Sequence, residues 1–261
     1  FYHPIFWLFV YLFVHLLVRV LFSQTLQLDD SEQINHAQYL LLGYPIPQPP
    51  LYSWMSWGAF QILGTGLLAL TLLKYALVAL TFWITWLVSG QLFQHLQTRY
   101  IAIFSYLLIP AFAWHMHQGS THTILLGLGV ILSLRALLNL RDSATAWHYS
   151  YFGFALGVGL MGKYSFLLFM IPLLISAVSI KSFRDVLFDK KILLPIGVFI
   201  LVIVPHVYWL TQHYQEIFSS IDQKLQVTSD NFLTDRIKSI GQFVGAAVAF
   251  VIPFAFVFII N

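Results

Sequence analysis

Three of the ten acidic residues in this chain stand within four positions: Asp29, Asp30 and Glu32. A carboxylate held within about 3 Å of a hydroxyl can take its proton as a general base. Carboxylates this close also raise one another's pKa by like-charge repulsion. The alternative is a solvated acidic cap, with Asp29 or Asp30 as the N-cap of the following helix. If 29–42 is helical, Asp29, Glu32, Gln33 and His36 share one face by i, i+3, i+4, i+7 spacing. Ile34, Ala37, Leu40 and Leu41 then lie largely on the other.

The cations offer a second kind of chemistry. Lys163 stands between two apolar runs, and Arg19 and Lys74 stand inside apolar runs. A lysine at such a boundary can simply reach the headgroups, whereas an intramembrane cation is either paired structurally or lends positive potential to a site. His115, His117 and His122 fall within eight positions. A His-x-His pair with a third histidine can bind zinc, but the chain has no cysteine and no acidic fourth ligand is evident nearby. Polar lining of a cavity is the expectation, with no metal and no cofactor.

The elements that must position these residues are membrane helices. Hydrophobic residues make up 59% of the 261 positions and charged residues 9%, against about a quarter charged in soluble domains. The mean hydropathy is +0.80. Too few polar residues exist to build a soluble shell, so length is better counted in crossings of about 20 apolar residues each. The expected fold class is all-α, a polytopic transmembrane helical bundle of about eight spans. The spans fall near 4–22, 66–89, 100–118, 121–140, 147–162, 164–180, 192–211 and 240–260. The first is too long and bulky for a cleaved signal peptide. Because the chain starts at Phe1 and stops at Asn261 after an apolar run, both ends are expected to be incomplete.

Two polar stretches interrupt the spans, giving a first outward loop over 23–65 and a second over 212–238. In the first, Gly43-Tyr44-Pro45-Ile46-Pro47-Gln48-Pro49-Pro50 cannot be helical throughout. Leu51 to Leu63 resumes as an interfacial helix with Tyr52, Trp54 and Trp57 at headgroup depth. Basic residues set the orientation. Seven (Arg99, Arg135, Arg141, Lys181, Arg184, Lys190, Lys191) fall on one side and four (Lys163, Lys224, Arg236, Lys238) on the other. The richer side is the cytoplasmic one, so the carboxylates face outward. The net charge of +3 is explained by this topology, and no nucleic-acid partner is expected.

Six stretches carry a resemblance to a known family. Asp29-Asp30-Ser31-Glu32-Gln33, Leu40 to Tyr44 and Gln48-Pro49-Pro50-Leu51-Tyr52-Ser53-Trp54 resemble the first outward loop of the family 39-like membrane glycosyltransferases of the GT-C fold. Dolichyl-phosphate-mannose protein mannosyltransferases and bacterial lipid A aminoarabinose transferases belong to that superfamily. Gly157 to Ser165, Thr121-His122 and Pro205-His206 match further family positions in order. The chain departs in having Asp-Asp where relatives carry Asp-Glu, and Gln48 where some carry a lysine.

The resemblance implies transfer of a sugar from a polyprenyl-phosphate donor to an acceptor hydroxyl on a lipid, glycan or protein. Asp29 would be the general base, with Asp30 and Glu32 orienting it. Lys163, with Arg19 or Lys74, would stabilise the departing lipid phosphate. His36, Gln48, Tyr52, His122, Tyr164 and His206 would line the cavity. The bacterial branch is the nearer match, which implies an inner membrane with a periplasmic active site and a chain that is the N-terminal part of a transmembrane transferase domain over 1–261. Two other classes compete. A transporter or flippase places its site near the bilayer midplane between repeats, and no repeat is visible here. A non-catalytic scaffold would use the acidic loop to bind a partner.

Overall fold

The computed structural model describes residues 4–23, 25–225, 236–245, 248 and 252. The helices run in the order α1 (Pro4–Phe22), α2 (Leu28–His36), α3 (Leu51–Leu63), α4 (Leu67–Leu92), α5 (Leu96–Phe104), α6 (Met116–Gln118), α7 (His122–Asp142), α8 (Ala146–Gly162), α9 (Leu167–Ser179), α10 (Lys181–Leu187) and α11 (Leu193–Leu225). No strand occurs among the described residues. The protein is an all-α helical membrane bundle.

Four segments among the described residues are long and apolar enough to cross a bilayer: α1, α4, α7 and Lys190–Gln215. Two bent pairs, Leu96–Leu108 with Phe112–Gln118 and Tyr164–Ser179 with Lys181–Leu187, bring the number to six if each is one span. The described residues thus hold four to six of the eight or so spans expected for the whole chain, and the expected runs that are not among the four have identifiable features. The 100–118 run breaks around Pro110, which has no N–H to donate. The 147–162 run is α8, whose 17 residues sit at the lower limit for a crossing. The 240–260 run lies largely outside the described residues. Of the second outward loop, residues 212–225 continue α11 as helix past a non-helical step at His213, and 226–235 lie outside the described residues.

Burial separates a central pair from the rim. The apolar windows of α4 and α7 are 56% buried, whereas those of α1 and of Lys190–Gln215 are 17% and 11% buried. The outer helices turn Phe13, Leu17 and Leu21, or Ile196, Ile200 and Val204, outward, which is the surface lipid tails would cover. Small residues let the inner helices approach closely. A Cβ on Gly129 of α7 would stand 2.5 Å from the Cα of Gly159 of α8. Gly153 and Gly157 of α8 likewise meet Pro195 and Val202 of α11. The Gly-rich stretch is thus a two-sided packing seam. It fixes the end of α8, and with it Lys163, against the first turn of α7.

Both ends of α2 depart from the expectation, and at the first Gln27, not Asp29 or Asp30, stands at the N-cap. The helix stops at His36, with the Ala37 N–H on the Gln33 carbonyl, and Leu40 to Leu42 are irregular. Its buried face is Asp30, Gln33 and Ala37, so Gln33 turns inward rather than sharing a wet face with Asp29. Helix α3 forms as expected, and Tyr52 is fully buried within the protein. Trp54 keeps the boundary role, its indole N–H donating to the Leu41 carbonyl at 2.6 Å.

Replacing Gly129 by valine should force α7 and α8 apart. Overpacking of this kind costs about 1–3 kcal/mol, so the thermal midpoint in detergent should fall clearly below that of wild type. An unchanged midpoint would contradict the close approach at Gly159.

Candidate active site

The end of the bundle where α1 and α8 finish and α4 and α7 begin collects the buried charged side chains Arg19, Asp30 and Lys74. Asp30, 1% exposed, lies at its centre. Arg19 Nη2 stands 3.0 Å from Asp30 Oδ2, and Lys74 Nζ stands 3.5 Å from Asp30 Oδ1. Both cations are themselves buried. A lone cation within a membrane helix costs about 2.5–3.5 kcal/mol, and the shared carboxylate of Asp30 offsets part of that cost for both. Arg19 also donates to Ser23 Oγ, and Lys74 to the Gln118 carbonyl. The three charges tie α1, α2 and α4 together. Asp30 is therefore held by two cations at once, Arg19 from α1 and Lys74 from α4.

Asp29, one residue earlier, has a different environment. Its Oδ2 accepts the Thr121 N–H at 3.4 Å, a long bond from the first turn of α7. The side chain lines a cavity of about 240 Å³ with Gln27, His115, Gln118 and Ser120. Burial pushes its pKa above the usual carboxylate range; the Thr121 N–H opposes this, and Glu32 and Asp30 add like-charge repulsion. Asp29 is thus a half-buried carboxylate of raised basicity beside open space. Glu32 is half-buried on the same helix.

Three consecutive residues opening α7 each hold one candidate. Thr121 donates its N–H to Asp29, His122 meets Gln33, and Thr123 accepts from Lys163 Nζ at 2.9 Å. The His122 bonds fix its tautomer. Nδ1 faces the Gly162 carbonyl at 3.2 Å, which can only accept, so Nδ1 carries the proton. Nε2 then accepts from the Gln33 amide at 3.3 Å, and Gln33 Oε1 accepts from Ser53 Oγ at 2.9 Å. One directed chain, Ser53 to Gln33 to His122 to Gly162, fastens α3, α2, α7 and α8. Tyr52 packs its ring 5.6 Å from that of His122. Its buried hydroxyl finds no hydrogen-bond partner among the described residues. Burial, reinforced by Asp30 and Asp29, drives its pKa far above the ordinary tyrosine value.

A second group joins the loop to α11. His206 directs Nδ1 to the Leu42 carbonyl at 3.2 Å and accepts from the Tyr164 hydroxyl at 2.6 Å on Nε2. Trp209 stacks on His206 and lies where a Cβ on Gly43 would be, so only glycine lets the loop sit there. Tyr164 and His206 therefore hold the loop over the end of α8. His36 stands one helical turn beyond Glu32 on α2, and Gln48 lies in the Pro-rich turn before α3. His36 lies about 10 Å further along α2 than Asp29, against Tyr44 with ring centroids 6.1 Å apart. The Gln48 N–H closes a tight turn on the Ile46 carbonyl.

Sequence reasoning missed the surroundings of His117. The Tyr11 and Tyr75 hydroxyls each lie 2.7 Å from one of its ring nitrogens, and His15 stacks on it at 3.8 Å. The available signals were Tyr11 and His15 one helical turn apart and Tyr75 beside Lys74, but nothing in their spacing joined them to His117. Gln33, Ser53, Thr121 and Thr123 were likewise unmarked as parts of a site. Among the described residues, no three His, Asp or Glu side chains come together closely enough to hold a metal ion.

With this geometry described, similarity to known proteins can be placed on it. The sequence model of the family described as dolichyl-phosphate-mannose-protein mannosyltransferase matches residues 47–209. The chain belongs to that family. The matched region contains Lys74, His122, Lys163, Tyr164 and His206, and begins after the carboxylates. Two curated relatives reach further. The lipopolysaccharide core galacturonosyltransferase RgtB of Rhizobium johnstonii is 28% identical over 246 residues, covering 92% of this chain and 50% of the relative. RgtA of the same organism is 28% identical over 241 residues, covering 92% and 48%. The uncovered remainder of this chain is shorter than the 28 residues before Asp29, so the carboxylates lie inside the similarity to both. The chain spans about half the length of these relatives. No solved structure matches it.

Two outcomes follow from the electrostatics. Replacing Lys74 by methionine leaves Asp30 with Arg19 alone, and breaking a buried ion pair costs about 3–5 kcal/mol. In a double-mutant cycle with Asp30→Asn, the two effects should be strongly non-additive when unfolding is followed in detergent; simple additivity would remove the triad. Asp29 has the opposite sign. Because its folded pKa is raised, its protonation favours the fold at low pH, and that advantage is lost as pH rises through the folded value. At neutral pH, Asp29→Asn should therefore melt no lower than wild type, and a clear drop would show Asp29 to be a structural residue.

Proposed function

We propose that the chain is the membrane-embedded catalytic part of a glycosyltransferase that takes a sugar from a polyprenyl-phosphate carrier at the periplasmic face of a bacterial inner membrane. The observation that carries this reading is the first turn of α7, where Thr121 holds Asp29 and Thr123 holds Lys163 two residues apart. A general base and a phosphate-stabilising cation need such a fixed separation.

Asp29 takes the proton from the acceptor hydroxyl as that oxygen attacks the anomeric carbon. The bond from the anomeric carbon to the phosphate oxygen breaks, and polyprenyl phosphate leaves with the electron pair. Attack opposite the leaving group inverts the anomeric centre. Lys163 has three N–H donors and gives one to Thr123, so two remain for the developing phosphate charge. The raised basicity of Asp29 suits the task, since a base works best with a pKa nearer the working pH. A lipid-linked donor also suits a site at one end of the bundle, because its tail never leaves the bilayer.

Orientation is supported by charge. Arg99, Arg141, Lys181, Arg184, Lys190 and Lys191 all belong to the end of the bundle away from Asp29, and basic loops stay cytoplasmic. The names of the two relatives make a galacturonosyl donor and a lipopolysaccharide-core acceptor the first pair to test.

The test is a transfer assay on the full-length protein in nanodiscs, with a panel of radiolabelled polyprenyl-phosphate sugars. Wild type should release polyprenyl phosphate. Asp29→Asn should lose about 10²–10⁴-fold in rate, and Lys163→Ala about 10²–10³-fold. Full turnover in Asp29→Asn would remove the proposed base. No turnover by folded wild-type protein with any donor would favour a transporter or scaffold.

A further inference from the structure

The half of the bundle away from Asp29 holds a cavity of about 240 Å³ that the proposed transfer does not use. Its walls include Leu156 of α8, Leu174 of α9, Leu187 of α10 and Ile196 and Phe199 of α11, and every wall side chain is apolar. The helices around it meet unevenly. Gly153 brings α8 against Pro195 of α11, whereas the chain bends by 106° between Tyr164–Ser179 and Lys181–Leu187. The Tyr149 hydroxyl donates to the Val186 carbonyl at 2.7 Å and holds α10 against α8. The slot is thus built into the packing of four helices. Phe199 stands seven residues before His206, so the slot stops about 10 Å along α11 from the group that holds the loop.

An apolar cavity stays dry and leaves its walls short of contacts, so an apolar occupant is favoured. The volume lies below the roughly 300–1,000 Å³ of sites for drug-sized ligands, which suits a stretch of one acyl chain. The neighbouring charges indicate the headgroup. Lys190 and Lys191 immediately precede the wall residue Ile192. Lys191 Nζ donates to the Ala144 carbonyl at 3.1 Å, which sets this cation between the starts of α8 and α11. The nearby carboxylates do not cancel the cations. Asp185 pairs with Lys181 at 2.6 Å, and Asp142 pairs with Arg141. Over 181–191 that leaves Arg184, Lys190 and Lys191 against Asp189 alone, whose carboxylate accepts the Lys191 N–H.

We infer that this slot binds one acyl chain of an anionic phospholipid from the adjacent leaflet, with the headgroup phosphate on Lys190 and Lys191. Basic pockets at the ends of membrane helices take anionic headgroups in this manner. The lipid is a bound component of the bundle and not a substrate. Its site lies at the opposite end from the proposed transfer and does not depend on that reading.

The test is native mass spectrometry of the full-length protein, titrated in detergent with phosphatidylglycerol or with phosphatidylcholine of identical acyl chains. Wild type should retain one phosphatidylglycerol and prefer it by about thirtyfold, the worth of two lysines near a headgroup. The double variant Lys190→Gln, Lys191→Gln should bring the two lipids close to parity. Lys190→Gln alone leaves the Lys191–Ala144 bond in place and should lower the preference by about fivefold. Ile196→Trp, at a half-exposed wall position, should weaken retention of both lipids by filling the slot. Equal binding of the two lipids by wild type overturns the site. So does a preference that survives the lysine changes, or retention that Ile196→Trp leaves unaltered. Displacement of phosphatidylglycerol by an equal concentration of a polyprenyl phosphate would give the slot to the carrier and equally overturn it.

Discussion

Burying one carboxylate inside a membrane bundle is the constraint on which the rest depends. Asp30, at 1% exposure, meets both Arg19 and Lys74, and these two buried cations share its one carboxylate. None of the three can move alone without leaving an uncompensated charge in low dielectric. The short helix α2 is thereby fixed to α1 and α4. Asp29 follows directly from that anchoring, because adjacent residues on a helix point about 100° apart. Once Asp30 is turned into the bundle, Asp29 must face its rim.

The second fixed point is the start of α7. Helix α8 approaches α7 through Gly129 and Gly159 with no side chain between the backbones, so Lys163 reaches Thr123 at a set height. The Ser53–Gln33–His122–Gly162 chain uses directed hydrogen bonds for the same purpose. His206 with Tyr164, and Trp209 over Gly43, then close the loop down from α11. Charge, close packing and directional bonding each fix a different element, and they converge on the surroundings of Asp29.

Much of this was legible in the linear chain. Long apolar runs gave α1, α4, α7 and α11 because no water is present in a bilayer to satisfy an open backbone. Pro45 to Pro50 predicted the break between α2 and α3. The carboxylate cluster and Lys163 stood out because charges are rare in this composition. The count of spans was less legible, since hydropathy does not register a bend at Pro110 or a helix as short as α8. The inward turn of Gln33 escaped for a related reason: helical periodicity tells which residues share a face, but not which face the neighbours will cover.

What the sequence determined by itself, then, is that this is a membrane bundle with an acidic loop of a known glycosyltransferase type. Local rules of hydropathy, proline geometry and charge rarity act over a few residues and can be read in place. What only the tertiary structure decided is the different surroundings of two adjacent carboxylates. Asp29 and Asp30 are the same residue type one position apart. They differ because Asp30 meets cations 11 and 44 residues away along the chain, while Asp29 meets an N–H 92 residues away at the edge of a cavity. Such long-range pairings arise when helices pack, so the spacing of the residues along the chain does not encode them.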